Sequence, residues 1–279
     1  MSAVAEVMTA GWQAHLALGF RHDGRRTILS RREHRGPLLI QRAFYPEGEP
    51  CHIYLLHPPG GVVGGDQLRL EVEVNDGAHA LITTPAASKF YRSKAATAVL
   101  EQTFKVSSGA TLEWLPQETI LFADSHVRMR TDVRLEAGAG FIGWELLCLG
   151  RPASGEKYTL GNCQQRLSIW RDDMPLLLET TRLHGAASVL ERNWGLQGAN
   201  VMGTCIAVNA DKTVLQAVRD ADLQIANGLF TVTLIHDVLI CRALALQAEP
   251  ARRAFIEAWK IIRPLLLKRP ASTPRIWFT

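Results

Sequence analysis

The stretch Leu68-Arg69-Leu70-Glu71-Val72-Glu73-Val74-Asn75-Asp76-Gly77-Ala78-His79-Ala80-Leu81-Ile82 decides the fold. Its first seven residues alternate apolar and charged, the period of a half-buried strand. Asn75-Asp76-Gly77 is a turn, and Ala78 to Ile82 is an apolar run long enough for a second, more deeply buried strand. The unit recurs: Phe104-x-Val106 leads through Ser108-Gly109-Ala110 into Leu112-Glu113-Trp114-Leu115, and Val133-x-Leu135 leads through Ala137-Gly138-Ala139 into Phe141-Ile142-Gly143-Trp144. The turn glycines Gly77, Gly109 and Gly138 lie 32 and 29 residues apart. Hairpin-like units at a near-constant period imply stacking, each copy covering its neighbour's open face. The expected fold is mainly β: a layered, solenoid-like body of stacked hairpins over residues 1–195. Another hairpin fits Leu167 to Leu183, turning at Arg171-Asp172-Asp173-Met174.

Outward from this body the pattern changes. Over residues 196–279 the expected order is β-α-β-β-α, a small α+β portion with an extended tail, joined through a linker near Trp194 to Gly203. A strand fits Val201 to Val208. Asp211 caps a helix with Val214, Leu215 and Val218 on its apolar face. Leu229–Ile235 and Val238–Leu244 form a strand pair around His236-Asp237. A second helix opens with Pro250 and carries Phe255, Ile256, Trp259 and Ile262 on one face.

Composition narrows the function classes. In 279 residues, 47% are hydrophobic and 21% charged, which excludes intrinsic disorder, and no apolar run is long enough for a membrane-spanning helix. The opening Met1 to Gly11 lacks a secretory-leader pattern, so a cytoplasmic location is expected. The net charge is only +4, although Arg21 to Arg42 holds seven arginines against Asp23 and Glu33. That segment reads better as a solvated strand edge than as a nucleic-acid surface, since it lacks lysine clusters and interleaved aromatics. The five cysteines are scattered without a Cys-x-x-Cys pair and read as packing residues.

Several stretches are candidates for function. His57-Pro58-Pro59-Gly60-Gly61-Val62-Val63-Gly64-Gly65-Asp66 allows unusual backbone geometry but is followed by no Gly-Lys-Ser/Thr and no helix, so it is not a phosphate loop. It is either a tight crossing between β layers or a backbone-lined passage with His57 and Asp66 at its ends. Ser88-Lys89-Phe90-Tyr91-Arg92-Ser93 reads as a partner-docking loop. Glu113 and Glu145 interrupt apolar strands, and Glu118 and Glu179 lie near strand ends; buried carboxylates need partners or a proton. Ion pairing with arginine is the simpler account, and carboxylate-driven hydrolysis the competing one. The nine histidines form no array with metal-ligand spacing, so no tight metal site is expected.

Together these blocks resemble the urease accessory protein UreD (UreH) family over essentially the whole chain. The resemblance rests on Gly36-Pro37-Leu38, Gln41, Tyr45-Pro46-Glu47, His57 to Asp66, Thr83-Thr84-Pro85 and Lys89 to Ser93. It continues through Leu112 to Glu118, Gly150-Arg151-Pro152-Ala153-Ser154-Gly155-Glu156 and Pro274-Arg275-Ile276-Trp277. Ala86 departs from the family pattern, which has glycine after Thr-Thr-Pro. The resemblance implies a non-enzymatic scaffold or chaperone for metallocentre assembly. Such a protein binds apo-urease and UreF directly, joins the GTPase UreG through UreF, and delivers nickel through an internal tunnel. It implies no tightly bound cofactor, with nickel only in transit, no nucleic acid or membrane partner, and leaves open a dimeric UreF-containing complex. Asp66 and Glu179 match positions regarded in the family as lining or gating the route. Glu118, Glu145 and His57 are expected near the path, with Lys89, Tyr91, Arg92 and Ser93 in a loop beside it or at a partner contact. A weakly held cation suits such a path, because a tight nitrogen and sulfur cage would stop transfer.

Overall fold

The structure is a computed structural model in which residues 11–93 and 96–278 are described; the opening segment read above for a leader lies mostly outside them. The chain begins with β1 (Gln13–His22), β2 (Thr27–Arg35), β3 (Leu39–Phe44) and β4 (Cys51–Leu56). Four coils follow. They comprise β5 (Gln67–Val74), β6 (His79–Thr83), β7 (Ser88–Phe90), β8 (Ala98–Val106), β9 (Thr111–Leu115), β10 (Thr119–Leu121), β11 (Ser125–Leu135), β12 (Gly140–Arg151), β13 (Glu156–Lys157) and β14 (Gly161–Arg171). The two strands of each recurring unit lie in opposite sheets, and each pairs in parallel with the same strand of the next unit. One sheet runs β1-β5-β8-β11-β14, all parallel, and the other runs β4-β6-β9-β12, also parallel. The fold is therefore the expected β-solenoid.

Each passage from first to second sheet is a four-residue turn closed by a hydrogen bond: Ala78 N to Asn75 O, Ala110 N to Ser107 O, and Ala139 N to Glu136 O, at 2.9, 3.0 and 3.0 Å. Gly77, Gly109 and Gly138 occupy its third position with φ of +67°, +67° and +78°, the left-handed region that a side chain disfavours. The return side is longer and carries a short third ladder, in which Val62, Phe90, Leu121 and Leu149 form a buried column.

The stack is closed at both ends by antiparallel strands. β2 caps β1 and β3 caps β4, while β15 (Met174–His184) folds back on β14 around Asp172-Asp173. At the far end of the second sheet, β16 (Val201–Val208) pairs with β12. The segment α1 (Lys212–Asp220), β17 (Leu229–Ile235) and β18 (Val238–Ala245) gives the sheet order β12-β16-β18-β17, and α2 (Ala248–Leu267) then packs on β12, β16 and β18. The Asp211 side chain accepts from the backbone N–H groups of Thr213 and Val214, as its capping position predicts. The longer helix starts two residues before Pro250 and runs through Pro264.

The second sheet is buried on both faces. Trp114, Phe141 and Leu147 pack into the space between the sheets, while Leu115, Trp144 and Leu146 pack against Phe255, Trp259 and Ile262 of α2. Fully burying one such side chain contributes about 1.5–3 kcal/mol, so three layers around two cores hold the stack without cross-links. All five cysteines are free and buried; burial pushes the Cys51 thiol up to about 11 and those of Cys148 and Cys163 up to about 12.

Candidate functional site: two cavities lined by one glutamate

Between the sheets, beneath the return side of the coil, lies a cavity of about 430 Å³. Its walls are largely apolar, from Leu55, Val62, Leu100, Trp114, Met129 and Leu147, and the return-side segments carrying His57 and Lys89 border it. A second, smaller space of about 40 Å³ is bordered by Glu179, Thr181, Thr204 and Arg242. Glu145, Leu147 and Gln165 line both. The second space ends at an ion pair between Glu179 and the half-exposed Arg242, whose guanidinium also donates to Thr204 Oγ1 at 3.3 Å.

Glu145 reaches the wall common to both because of strand parity. In β12, Phe141, Leu147 and Leu149 point between the sheets, and Glu145 shares their side. Gln165 Nε2 donates to its Oε2 at 2.5 Å, and the Thr131 hydroxyl bridges Glu145 Oε1 at 2.6 Å and Gln102 Oε1 at 2.9 Å. No cation pairs with Glu145 among the described residues. Burial pushes its carboxyl above the ordinary range; the bonds from Thr131 and Gln165 offset part of this, and the nearby charge of Glu179 adds to it.

Three of the path residues expected from the sequence therefore meet the cavities: His57 at the first, Glu179 at the second and Glu145 at both. Burial lowers the His57 imidazole from its ordinary value, and the Asp66 charge opposes that shift. Asp66 lines neither cavity. Its two carboxylate oxygens accept from the backbone N–H of Trp12 at 2.8 Å and of Val63 at 2.9 Å, so it fastens the glycine-rich loop to the start of β1. Glu118 also lines neither; one of its oxygens is buried without a hydrogen-bond partner among the described residues, and its charge acts on Cys148. Of the docking-loop residues, Lys89 borders the first cavity. Tyr91 and Ser93 instead press on the glycine-rich loop. A Cβ on Gly61 would sit 2.1 Å from the Tyr91 ring, and one on Gly64 would sit 1.8 Å from Ser93 Oγ. Arg92 is exposed, with its charge acting on Glu156. The glycines thus serve a close crossing of two segments.

Gln102, Thr131, Gln165 and Arg242 were not anticipated. The first three had a readable signal: each is a polar residue at the inward position of an alternating strand, between Leu100 and Phe104, Met129 and Val133, and Cys163 and Leu167. Arg242 gave none.

A second buried polar cluster lies on the other side of the second sheet. Glu113, wholly buried, accepts from His79 Nε2 at 2.7 Å, Trp259 Nε1 at 2.6 Å and Arg263 Nε at 3.0 Å. Arg263, also wholly buried, turns its other nitrogens to Glu47 at 2.9 and 2.7 Å, and His52 lies 2.7 Å from Glu47. Burial opposes ionisation of both glutamates. His79 and Arg263 nevertheless hold Glu113 below the ordinary carboxylate range, and His52 and Arg263 hold Glu47 down to about 2. This cluster ties α2 to β4, β6 and β9. No three His, Cys, Asp or Glu side chains converge as a metal site among the described residues.

Comparison with known proteins decides the family. The family profile described as UreD urease accessory protein matches residues 13–278. The chain belongs to the UreD family of urease accessory proteins. It is similar to the urease accessory protein UreD of Alkalilimnicola ehrlichii, with 45% identity over 99% of this chain and 94% of that one. The corresponding protein of Pseudomonas putida is 45% identical over 97% and 95%, and that of Klebsiella aerogenes 42% identical over 96% and 97%. In this family member the blocks that carried the resemblance come together. Glu47 of the first block and Glu113 of Leu112 to Glu118 meet in the Arg263 cluster, while His57, Gly61 and Val62 of the glycine-rich block and Lys89 and Phe90 of the next border the first cavity. Trp277 of the closing block donates to Thr83 Oγ1 at 2.7 Å, fastening the tail to β6. No helix of the described residues is long and apolar enough to cross a membrane.

Proposed function

We propose that this chain is a non-catalytic, cytoplasmic assembly factor for urease. It binds the apo-enzyme and UreF, joins UreG through UreF, and passes nickel toward the urease active site by way of the two cavities. The observation that carries this reading is the sharing of Glu145, Leu147 and Gln165 by the two cavities. The oxygen donors Glu145 and Glu179, both bordering the smaller cavity, contact a hydrated divalent cation and release it, whereas a convergent nitrogen and sulfur set would retain it. Glu145 has no counter-cation to displace, and the Arg242 guanidinium beside Glu179 must swing aside for passage.

The test is urease activation in nickel-supplied cells by Glu145→Leu and Glu179→Ala variants. Both should recover urease and UreF at wild-type levels in a pull-down, yet lower activation by about tenfold, the scale on which altered contacts around a metal change activity. Full activation by both variants would remove the passage from the proposal. Recovery of neither partner by the wild-type chain would remove the assembly role itself.

A further inference from the structure

The outer face of the first sheet changes character along the stack. Over β5 and β8 its charges neutralise one another across strands, Arg69 pairing with Glu101 at 3.0 Å and Lys105 with Glu73 at 3.3 Å, and on β1 His15 lies 3.3 Å from Glu71. Over β11, β14 and β15 this stops. Strand parity places Arg128, Arg130, Arg134, Arg166 and Arg182 on the outward face, all exposed, against the single acid Asp132. Asp132 pairs with Arg130 and Arg134, while Arg128, Arg166 and Arg182 form no ion pair among the described residues. Arg130 and Arg166 are direct neighbours in the ladder, an arrangement that costs stability. Protection of a sheet edge does not account for it, because β11 is an interior strand.

We propose that this arginine field is the docking surface for an acidic protein partner. The adjoining edge strand β15 offers unpaired backbone groups and the exposed Leu178 and Met174, which suit a protein neighbour. Nucleic acid fits less well: the net charge is only +4, and the Trp170 ring is covered by the Arg134 guanidinium at 4.7 Å. The opposite face of β15 carries Glu179, so a partner seated here lies beside the end of the second cavity. The inference rests on the assembly role proposed above and names a surface that role uses.

The test co-expresses the tagged full-length chain with the cognate urease subunits and accessory proteins. Wild type is compared with the triple variant Arg128→Glu, Arg166→Glu, Arg182→Glu and with the milder Arg166→Gln. The triple variant should keep its circular dichroism spectrum and lose one protein partner about tenfold, the lower end of what charge complementarity contributes to association. Arg166→Gln should lose less, and wild-type recovery of that partner should fall as salt rises. Wild type and triple variant recovering the same partners equally would overturn the inference while leaving the assembly role standing. If the variants lose only nuclease-sensitive RNA or DNA, the field serves nucleic acid and the inference fails. Recovery of no protein partner by wild type would overturn both proposals.

Discussion

Glu113 and Glu145 look alike in sequence and are opposites in structure. Each interrupts an apolar strand of the second sheet beside a tryptophan, and each carboxyl is buried. Glu113 points toward α2 and meets Arg263, His79 and the Trp259 indole; Glu145 points between the sheets and, among the described residues, accepts hydrogen bonds only from Thr131 and Gln165. Burial opposes ionisation of both; His79 and Arg263 nevertheless draw Glu113 below the ordinary carboxylate range, while Glu145 is raised above it. One carboxylate is a structural tie. The other stands unneutralised beside open space.

The severest way to break the contrast is Arg263→Met. It leaves Glu113 and Glu47 buried without their shared cation, so a loss of about 3–5 kcal/mol is expected in chemical denaturation. Adding Glu113→Gln should restore part of it, since the two sites are coupled. An additive double variant would show that Arg263 acts through packing alone.

Acid is the next probe. Glu47 ionises at about 2 in the folded chain, against an ordinary value of 4.5. A lowered carboxylate contributes stability that is present above the unfolded value and lost as pH falls through the folded one. About 3 kcal/mol should therefore disappear between pH 4.5 and 2, with Glu113 adding loss in the same direction. Glu47→Gln should flatten that limb of the stability curve; an unchanged curve would mean the cluster contributes no net ionic stabilisation.

The smallest effect belongs to Glu145→Gln, and its size depends on pH. A raised carboxyl costs stability as pH climbs above its unfolded value, because ionisation is easier in the unfolded chain. The variant should match wild type near pH 4 and be the more stable near pH 8, by about 1 kcal/mol. Equal melting temperatures at both values would mean that Glu145 ionises freely in the folded chain.

Much of the fold was legible from local pattern. Period-two alternation marked the coil strands, the recurring glycines marked the turns, and Asp211 marked the first residue of α1. Pairing partners were less legible, because alternation states which side chains share a face and not which strand lies alongside. The two glutamates show the limit more sharply. The second sheet is covered on both sides, so apolar residues fall at both parities of its strands and the side each glutamate faces cannot be assigned from sequence. Arg263 lies 150 residues beyond Glu113 and resembles any helix arginine until the fold brings them together. The five outward arginines are spread over three strands and never form a run, whereas the conspicuous cluster from Arg21 to Arg42 finds several local partners, among them Glu33 for Arg31 and the Tyr45 ring for Arg26.

The three passages from first to second sheet have identical length, whereas the return segments at 57–66, 84–97, 116–124 and 152–160 do not. A residue inserted at Asn75-Asp76-Gly77 would displace a turn held in register with the next coil by backbone bonds such as Ser107 N to Val74 O. An insertion of the same size on the return side, placed outside the short Val62, Phe90, Leu121 and Leu149 ladder, enlarges only a loop, and closure cost grows slowly with loop length. Evolution within such a scaffold has one margin free to lengthen and one pinned, and the free margin is the side that roofs the larger cavity.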